Sequence, residues 1–171
     1  MMIANFETVT AMLAKPLALI SLLLLPDQAT AQILSARGYG DIQFGAQLRD
    51  VESQLKESAE PRNREFGCDF VKFKKYPGVQ FMVENGVVSR ADVAPNIPNS
   101  SGIRIGTRLS EVKRRFPEVI VELHKYVEDG HYLSLPTADG KAALLFEEVH
   151  GGVTDVRAGL LPSVAYVEGC L

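Results

Sequence analysis

Residues 42–55, IQFGAQLRDVESQL, and residues 103–116, IRIGTRLSEVKRRF, lie over one another without a gap at a constant offset of 61. Ile42 falls on Ile103, Phe44 on Ile105, Gly45 on Gly106, Leu48 on Leu109, Asp50 on Glu111, Val51 on Val112 and Leu55 on Phe116. Further along, NGVVSRADV (85–93) matches HGGVTDVRA (150–158) at an offset of 65. Apolar positions, glycine and acid recurring in the same order mark a duplication, so the chain reads as two fused halves.

Within each half the local pattern is the same. A short extended piece ends at glycine. Apolar residues then recur at spacings of three and four, Leu48, Val51 and Leu55 in one copy and Leu109, Val112 and Phe116 in the other. That period lines one face of a helix. Thr107 stands where it can cap the second helix, Glu111 suits the positive N-terminal end, and Pro117 stops it. The first helix gives way to the polar run KESAEPRNRE (56–65).

Strand signals follow. They are CDFVKFKKY (68–76), VQFMVE (79–84) and VVSRADV (87–93), then VIVELHKYVE (119–128), HYLSLPT (131–137), KAALLFEEV (141–149) and VTDVRAGLL (153–161). Pro77-Gly78, Asn85-Gly86, Asp129-Gly130, Asp139-Gly140 and Gly151-Gly152 separate them, and such dipeptides between β-rich runs are the strongest local hairpin signals. SVAYVEGCL (163–171) reads as a last strand. The expected fold is α+β: two tandem repeats of helix plus antiparallel meander, with the helices packed on one side of the sheet. The first repeat takes 32–94, with a helix at about 46–57 and strands over about 67–93. A linker runs over 95–102, and the second repeat takes 103–171, with a helix at about 107–116 and strands over about 119–169.

Residues 1–31 read as a leader. LALISLLLL (17–25) is a short apolar run preceded by Lys15, and Ala29-Thr30-Ala31 has the small-x-small pattern of a signal peptidase site, with cleavage after Ala31. Nine residues are too few to span a bilayer, which takes about 20. Setting the leader aside removes Lys15, Glu7 and Asp27 and leaves 17 basic against 19 acidic groups. That balance gives no drive toward nucleic acid or an anionic membrane, and KFKK (72–75) and KRR (113–115) are too short to form a binding stripe. The two cysteines, Cys68 and Cys170, read as a disulfide in an oxidising compartment, periplasmic or extracellular.

The stretch HKYVEDGHYL (124–133) holds two of the three histidines. A two-residue turn at Asp129-Gly130 sets Glu128 opposite His131, Val127 opposite Tyr132 and Tyr126 opposite Leu133. His124 then lies about 13 Å along the strand from Glu128. Ligands of one zinc sit about 2 Å from the metal, so the two histidines do not share an ion, and no metal site is expected. The same pairing sets Glu148 opposite His131. No serine stands in a strand–turn–helix elbow, and no phosphate-cradling glycine loop or dinucleotide fingerprint is present. No catalytic residue and no cofactor are expected. The hairpin and its neighbour strand do carry residue types common at protein interfaces, and Lys125, Tyr126, His131, Tyr132 and Arg157 are the candidate binding residues.

GTRLSEVKRRFP (106–117), duplicated and followed by a meander, resembles two related groups. One is the tandem helix-plus-sheet fold of the β-lactamase-inhibitor proteins. The other is the small outer-membrane assembly lipoproteins of the SmpA/OmlA type, whose helix opens with glycine, a capping Ser or Thr, and Glu-Val. Gly106, Thr107, Glu111 and Val112 match that pattern, and Gly45, Asp50 and Val51 echo it. The chain also resembles exported proteobacterial periplasmic proteins ending in a YVEGC-like strand. The resemblance implies a twisted tandem sheet whose open face grips a protein partner. This chain departs from the inhibitors in having no tryptophan, and from the lipoproteins in lacking an acylated cysteine. The expected function is a periplasmic or secreted, non-catalytic, protein-binding or inhibitor-like module whose partner is an envelope or extracellular protein. A carbohydrate or cell-wall binder is the alternative, against which an aromatic content of 8% counts. A hydrolase using His131 with Glu147 or Glu148 is the third.

Overall fold

The computed structural model describes residues 32–61 and 67–170. The expected leader, 1–31, and part of the polar run after the first helix lie outside the described residues. What is described is mixed α+β and mostly β. Three two-residue strands, β1 (Leu34–Ser35), β2 (Gly38–Tyr39) and β3 (Ile42–Gln43), make a small antiparallel sheet. Helix α1 (Leu48–Leu55) follows, then β4 (Cys68–Val71), β5 (Val79–Glu84), β6 (Val87–Val93), helix α2 (Leu109–Arg115), β7 (Ile120–Leu123), β8 (His131–Pro136), β9 (Ala142–Val149) and β10 (Gly152–Leu160). The last seven strands form one antiparallel sheet in the order β4-β5-β6-β10-β9-β8-β7. The centre of that sheet is the β6–β10 pair, in register Val93↔Val156, Asp92↔Arg157, Ala91↔Ala158 and Arg90↔Gly159.

Each helix is entered in the same way. Gly45 N–H donates to Val88 O and Val88 N–H to Ala46 O; Gly106 N–H donates to Val153 O and Val153 N–H to Thr107 O. Both glycines have positive φ, 95° and 82°, a conformation that a side chain disfavours. The turns into β6 and β10 also agree: Asn85 and His150 lie at φ 50° and 54°, each followed by a glycine at 82° and 87°. Two successive positive φ values are what a two-residue primed hairpin turn requires. The second of these turns is therefore centred on His150-Gly151, one residue before the Gly151-Gly152 expected, and Gly152 opens the strand. Thr107 does not cap α2. The N-cap is Arg108, and the Thr107 hydroxyl accepts from Arg104 N–H inside the entry turn instead.

Strand partners share a sheet face and alternate along each strand. One face carries Val79, Phe81, Ala91, Leu133, Leu144, Phe146, Val156 and Ala158, packed with Leu48 and Val51 of α1, Val112 of α2, and Leu34, Tyr39 and Ile42 of the small sheet. Fully burying the Val, Leu, Ile and Phe side chains among these stabilises by about 1.5–3 kcal/mol each. Tyr39 meets Tyr76 edge-on at 5.3 Å, and the Tyr76 hydroxyl donates to Asp41 Oδ2 (2.9 Å) while accepting from Asp41 N–H (3.0 Å). Burial pushes the Tyr76 hydroxyl above its ordinary pKa.

The opposite face carries a smaller cluster, Tyr132, Ala143, Leu145 and Val164, covered by the C-terminal segment. That segment is not the strand expected from SVAYVEGCL. It makes a 3-10 turn over Ser163–Ala165 and then runs irregularly as a strap to Cys170, which is bonded to Cys68. Its carbonyls are met by arginine side chains from the sheet below, so it needs no strand ladder. Gly169 lies flat on Phe70 of β4, where a Cβ would fall 2.8 Å from the ring.

Gly159 sits where β6 and β10 press together. A Cβ there would fall 2.4 Å from Ser89 O and 2.8 Å from Arg90 Cα, both backbone atoms. Gly159→Ala is expected to destabilise the fold by about 1–3 kcal/mol through overpacking, read from the urea unfolding midpoint at unchanged slope.

Candidate functional site

Three strands and a loop bring charged groups together on the strap face. Tyr132 (β8), Glu147 (β9) and Arg157 (β10) share that face, with Arg90 and Asp92 of β6 alongside. Arg157 is buried, at 5% exposure. Its Nη1 bonds Glu147 Oε1, its Nε donates to Val164 O at 2.9 Å, and its guanidinium lies 5.8 Å from the Tyr132 ring centre. Arg90, equally buried, grips Asp92 through Nε and Nη2 and donates from Nη1 to Tyr166 O at 2.6 Å. Two buried guanidiniums thus hold the strap by its backbone. Charge-assisted bonds of this kind are about twice as strong as neutral ones.

The hairpin between β7 and β8 differs from its expected form. The register pairs Leu123 with His131, Glu122 with Tyr132 and Val121 with Leu133, so β7 stops before His124 and residues 124–130 form a loop. His124 is the reason. Its Nδ1 accepts from the backbone N–H groups of Tyr126 (3.1 Å) and Val127 (3.2 Å), closing a turn that an extended strand cannot make. Its ring stacks on Tyr132 at 4.6 Å, and its Nε2 lies 3.5 Å from Glu147 Oε2. Gly130 closes the loop: a Cβ there would meet His124 Cβ at 2.8 Å.

From that loop, Lys125 Nζ reaches Glu168 Oε1 at 2.5 Å, the Tyr126 hydroxyl donates to the same oxygen, and Lys125 lies over the Tyr126 ring at 5.1 Å. Glu168 and Gly169 are consecutive, yet one touches the β7–β8 loop and the other touches β4, at the opposite end of the sheet. In a flat seven-stranded ladder those ends lie roughly 29 Å apart. The strap therefore runs across the second face of the sheet, touching structure at both of its ends.

The five candidate binding residues do not share a surface. Lys125 and Tyr126 are exposed and engage Glu168. Tyr132 and Arg157 are buried beneath the strap. His131 points to the helix side, where its Nδ1 is 2.7 Å from Glu148 Oε2, the contact expected from the strand pairing. Glu148 is only 2% exposed, so this is a buried carboxylate held by a half-buried imidazole. No hydroxyl or thiol among the described residues is hydrogen-bonded to a histidine, and both cysteines are in the disulfide. His131 and Glu148 are in hydrogen-bond contact with no nucleophile bonded to them among the described residues. Among the described residues no group of three His, Cys, Asp or Glu side chains is placed to hold a metal ion.

Sequence reasoning missed Arg90 and Glu168, and it weighed His124 only as a metal ligand and Glu147 only as a partner of His131. Arg90, between Ser89 and Ala91, and Arg157, between Val156 and Ala158, carried a usable signal. A lone arginine in mid-strand among small residues is either at an exposed position or buried with partners. Nothing local marks Glu168, whose partners are more than forty residues away.

No protein-family model, curated protein or solved structure matches this chain.

Two outcomes follow from this geometry. Arg157→Met strands Glu147 and the Val164 carbonyl, and is expected to lower stability by about 3–5 kcal/mol, measured by urea unfolding. Lys125, chiefly through its hydrogen bond, holds the Glu168 carboxyl below its usual range. A carboxyl with a lower pKa folded than unfolded contributes stability that is fully present above the unfolded value and lost as pH falls through the folded one. The Glu168 carboxyl signal is therefore expected to hold steady at neutral pH and to titrate only below the ordinary glutamate value, with Lys125→Met moving that titration up toward it.

Proposed function

We propose that this chain is an exported, non-catalytic protein-binding module that receives an extended segment of an envelope or extracellular protein along β7. The observation that carries the reading is the state of the two sheet edges. At the β4 edge, the following residue Lys72 exchanges two backbone hydrogen bonds with Glu60, at 2.9 and 2.8 Å, and the strap is cross-linked to Cys68. At the β7 edge nothing among the described residues pairs with the outer side of the strand. Its side chains are open as well: Ile120 is 49% exposed, Leu123 77%, and Tyr126 in the adjoining loop 64%. Edge strands are ordinarily blunted with lysine, proline or a covering segment. β7 carries one charge, Glu122, and offers apolar side chains on both faces. Strand addition to such an edge supplies affinity from the main chain and selectivity from alternate side chains.

The reading takes residues 1–31 as the leader, cleaved after Ala31, and a disulfide fits an oxidising compartment. It also takes the two halves as a duplication of the kind found in the β-lactamase-inhibitor proteins. The matched helix-entry bonds and turns support this. So does the register of the central pair: an offset of 65 carries Ala91↔Ala158 onto Val156↔Val93, which is itself present.

The test is affinity capture with the disulfide-intact full chain on envelope extract, compared with Ile120→Lys and Leu123→Lys. Both positions are exposed, so the fold is expected to persist. Retention of one dominant protein, lowered about tenfold or more by either lysine, is the expected outcome. Equal retention by the variants, or retention of cell-wall glycan in place of protein, would overturn the reading.

A further inference from the structure

We propose that His124 is a proton-operated latch, holding the β7–β8 loop closed on the strap when neutral and releasing it when protonated. As regulation of the β7 surface this rests on the reading above; as a conformational device it stands alone.

A ring nitrogen that accepts hydrogen bonds carries no proton. Because backbone N–H groups can only donate, His124 Nδ1 is an acceptor for both Tyr126 and Val127, and the proton of the neutral ring sits on Nε2, toward Glu147. A second proton has to go to Nδ1. There it faces two N–H groups, and both backbone bonds are lost. The ring has little room to turn away: its side chain is 8% exposed, it stacks on Tyr132, and Gly130 lies directly beneath it.

The charges around the ring come from every neighbouring element. Glu147 of β9 attracts the added proton, but its other oxygen is already bonded to Arg157 of β10, which opposes it. Tyr132 of β8 supplies the stacking face, and Glu122 of β7 lies two residues back on the same side of the sheet. Within the loop are Lys125, Glu128 and Asp129, and Glu168 of the strap is paired with Lys125. Imidazole is the side chain that ordinarily changes charge between pH 5 and 8. The two bonds it would lose fix Tyr126 and Val127, and Tyr126 with Lys125 holds Glu168. Opening the loop thus frees Tyr126, beside the exposed Leu123, from the strap.

The test follows backbone amide exchange of Tyr126 and Val127, together with the His124 ring signals, in the disulfide-intact full chain from pH 8 to pH 5.5. Protection of the two amides, corrected for the ordinary pH dependence of exchange, is expected to fall about tenfold along the His124 titration curve. His124→Asn keeps an acceptor that bonds backbone amides a little further along the chain and does not titrate, so it is expected to stay protected throughout. His124→Ala is expected to be open already at pH 8. The proposal is overturned if protection is unchanged while His124 titrates, if His124 stays neutral to pH 5.5, if the loss follows His131 instead, or if His124→Asn behaves as the wild type. No partner is needed for this readout, so a failure of the latch and a failure of the β7 reading are seen separately. The window also lies above that of Glu168.

Discussion

The antiparallel pairing of β6 with β10 is the contact on which the rest of the molecule depends. Each half supplies three or four strands and one helix, too little to bury a core by itself. Joined at this seam they become one seven-stranded sheet, with both helices and the small N-terminal sheet on the same side. The seam fixes more than adjacency. Ladder partners must share a face, so its register sends Ala91, Val93, Val156 and Ala158 toward the helices and Arg90, Asp92 and Arg157 the other way. A slip of one residue would drive either Arg90 and Asp92 of β6 or Arg157 of β10 into the apolar core. Gly159, with no Cβ, lets the two backbones approach that closely.

Once two guanidiniums are committed to the second face, that face has to provide for them. Asp92 and Glu147 meet part of the need, and the strap's carbonyls meet more of it. Hydrophobic packing on this side is modest: the cluster of Tyr132, Ala143, Leu145 and Val164 with Val167 beside it, and Met82 next to Phe70 near Gly169. Direction comes from hydrogen bonds, which act along lines and therefore set where the strap lies. The seating of the strap and the closing of the β7–β8 loop are one connected arrangement running from Arg157 through Glu147 to His124.

Much of the architecture was legible because it is local. Helical spacing at Leu48, Val51 and Leu55, and Asn-Gly or Asp-Gly between β-rich runs, depend on neighbours a few residues away. Positive φ at Asn85 and Gly86 is where such a dipeptide puts it. The parts that escaped depend on distant partners or on side chains standing in for backbone. Asp129-Gly130 reads as a two-residue turn, yet His124 offers two amides a better acceptor and a longer loop forms. SVAYVEGCL alternates like a strand, yet arginine side chains take the place of a neighbouring strand. The short strands from Leu34 to Gln43 carry too few residues to show a period. The candidate site suffered most, since Lys125 and Tyr126 were visible and Glu168, which they hold, was not.

The cross-link between Cys68 and Cys170, separated by 102 residues, turns everything from β4 to the strap into a single covalent ring. Among the described residues, only those before Cys68, which include the small sheet and α1, lie outside it. Cleaving any one peptide bond within the ring, including one in the exposed β7–β8 loop, therefore leaves one molecule and not two. The severed ends stay tethered on either side of the cut, next to the strands they came from. A first nick within the ring is thus an event without loss of mass. Fragments separate only after a second cut or after the sulfurs are reduced.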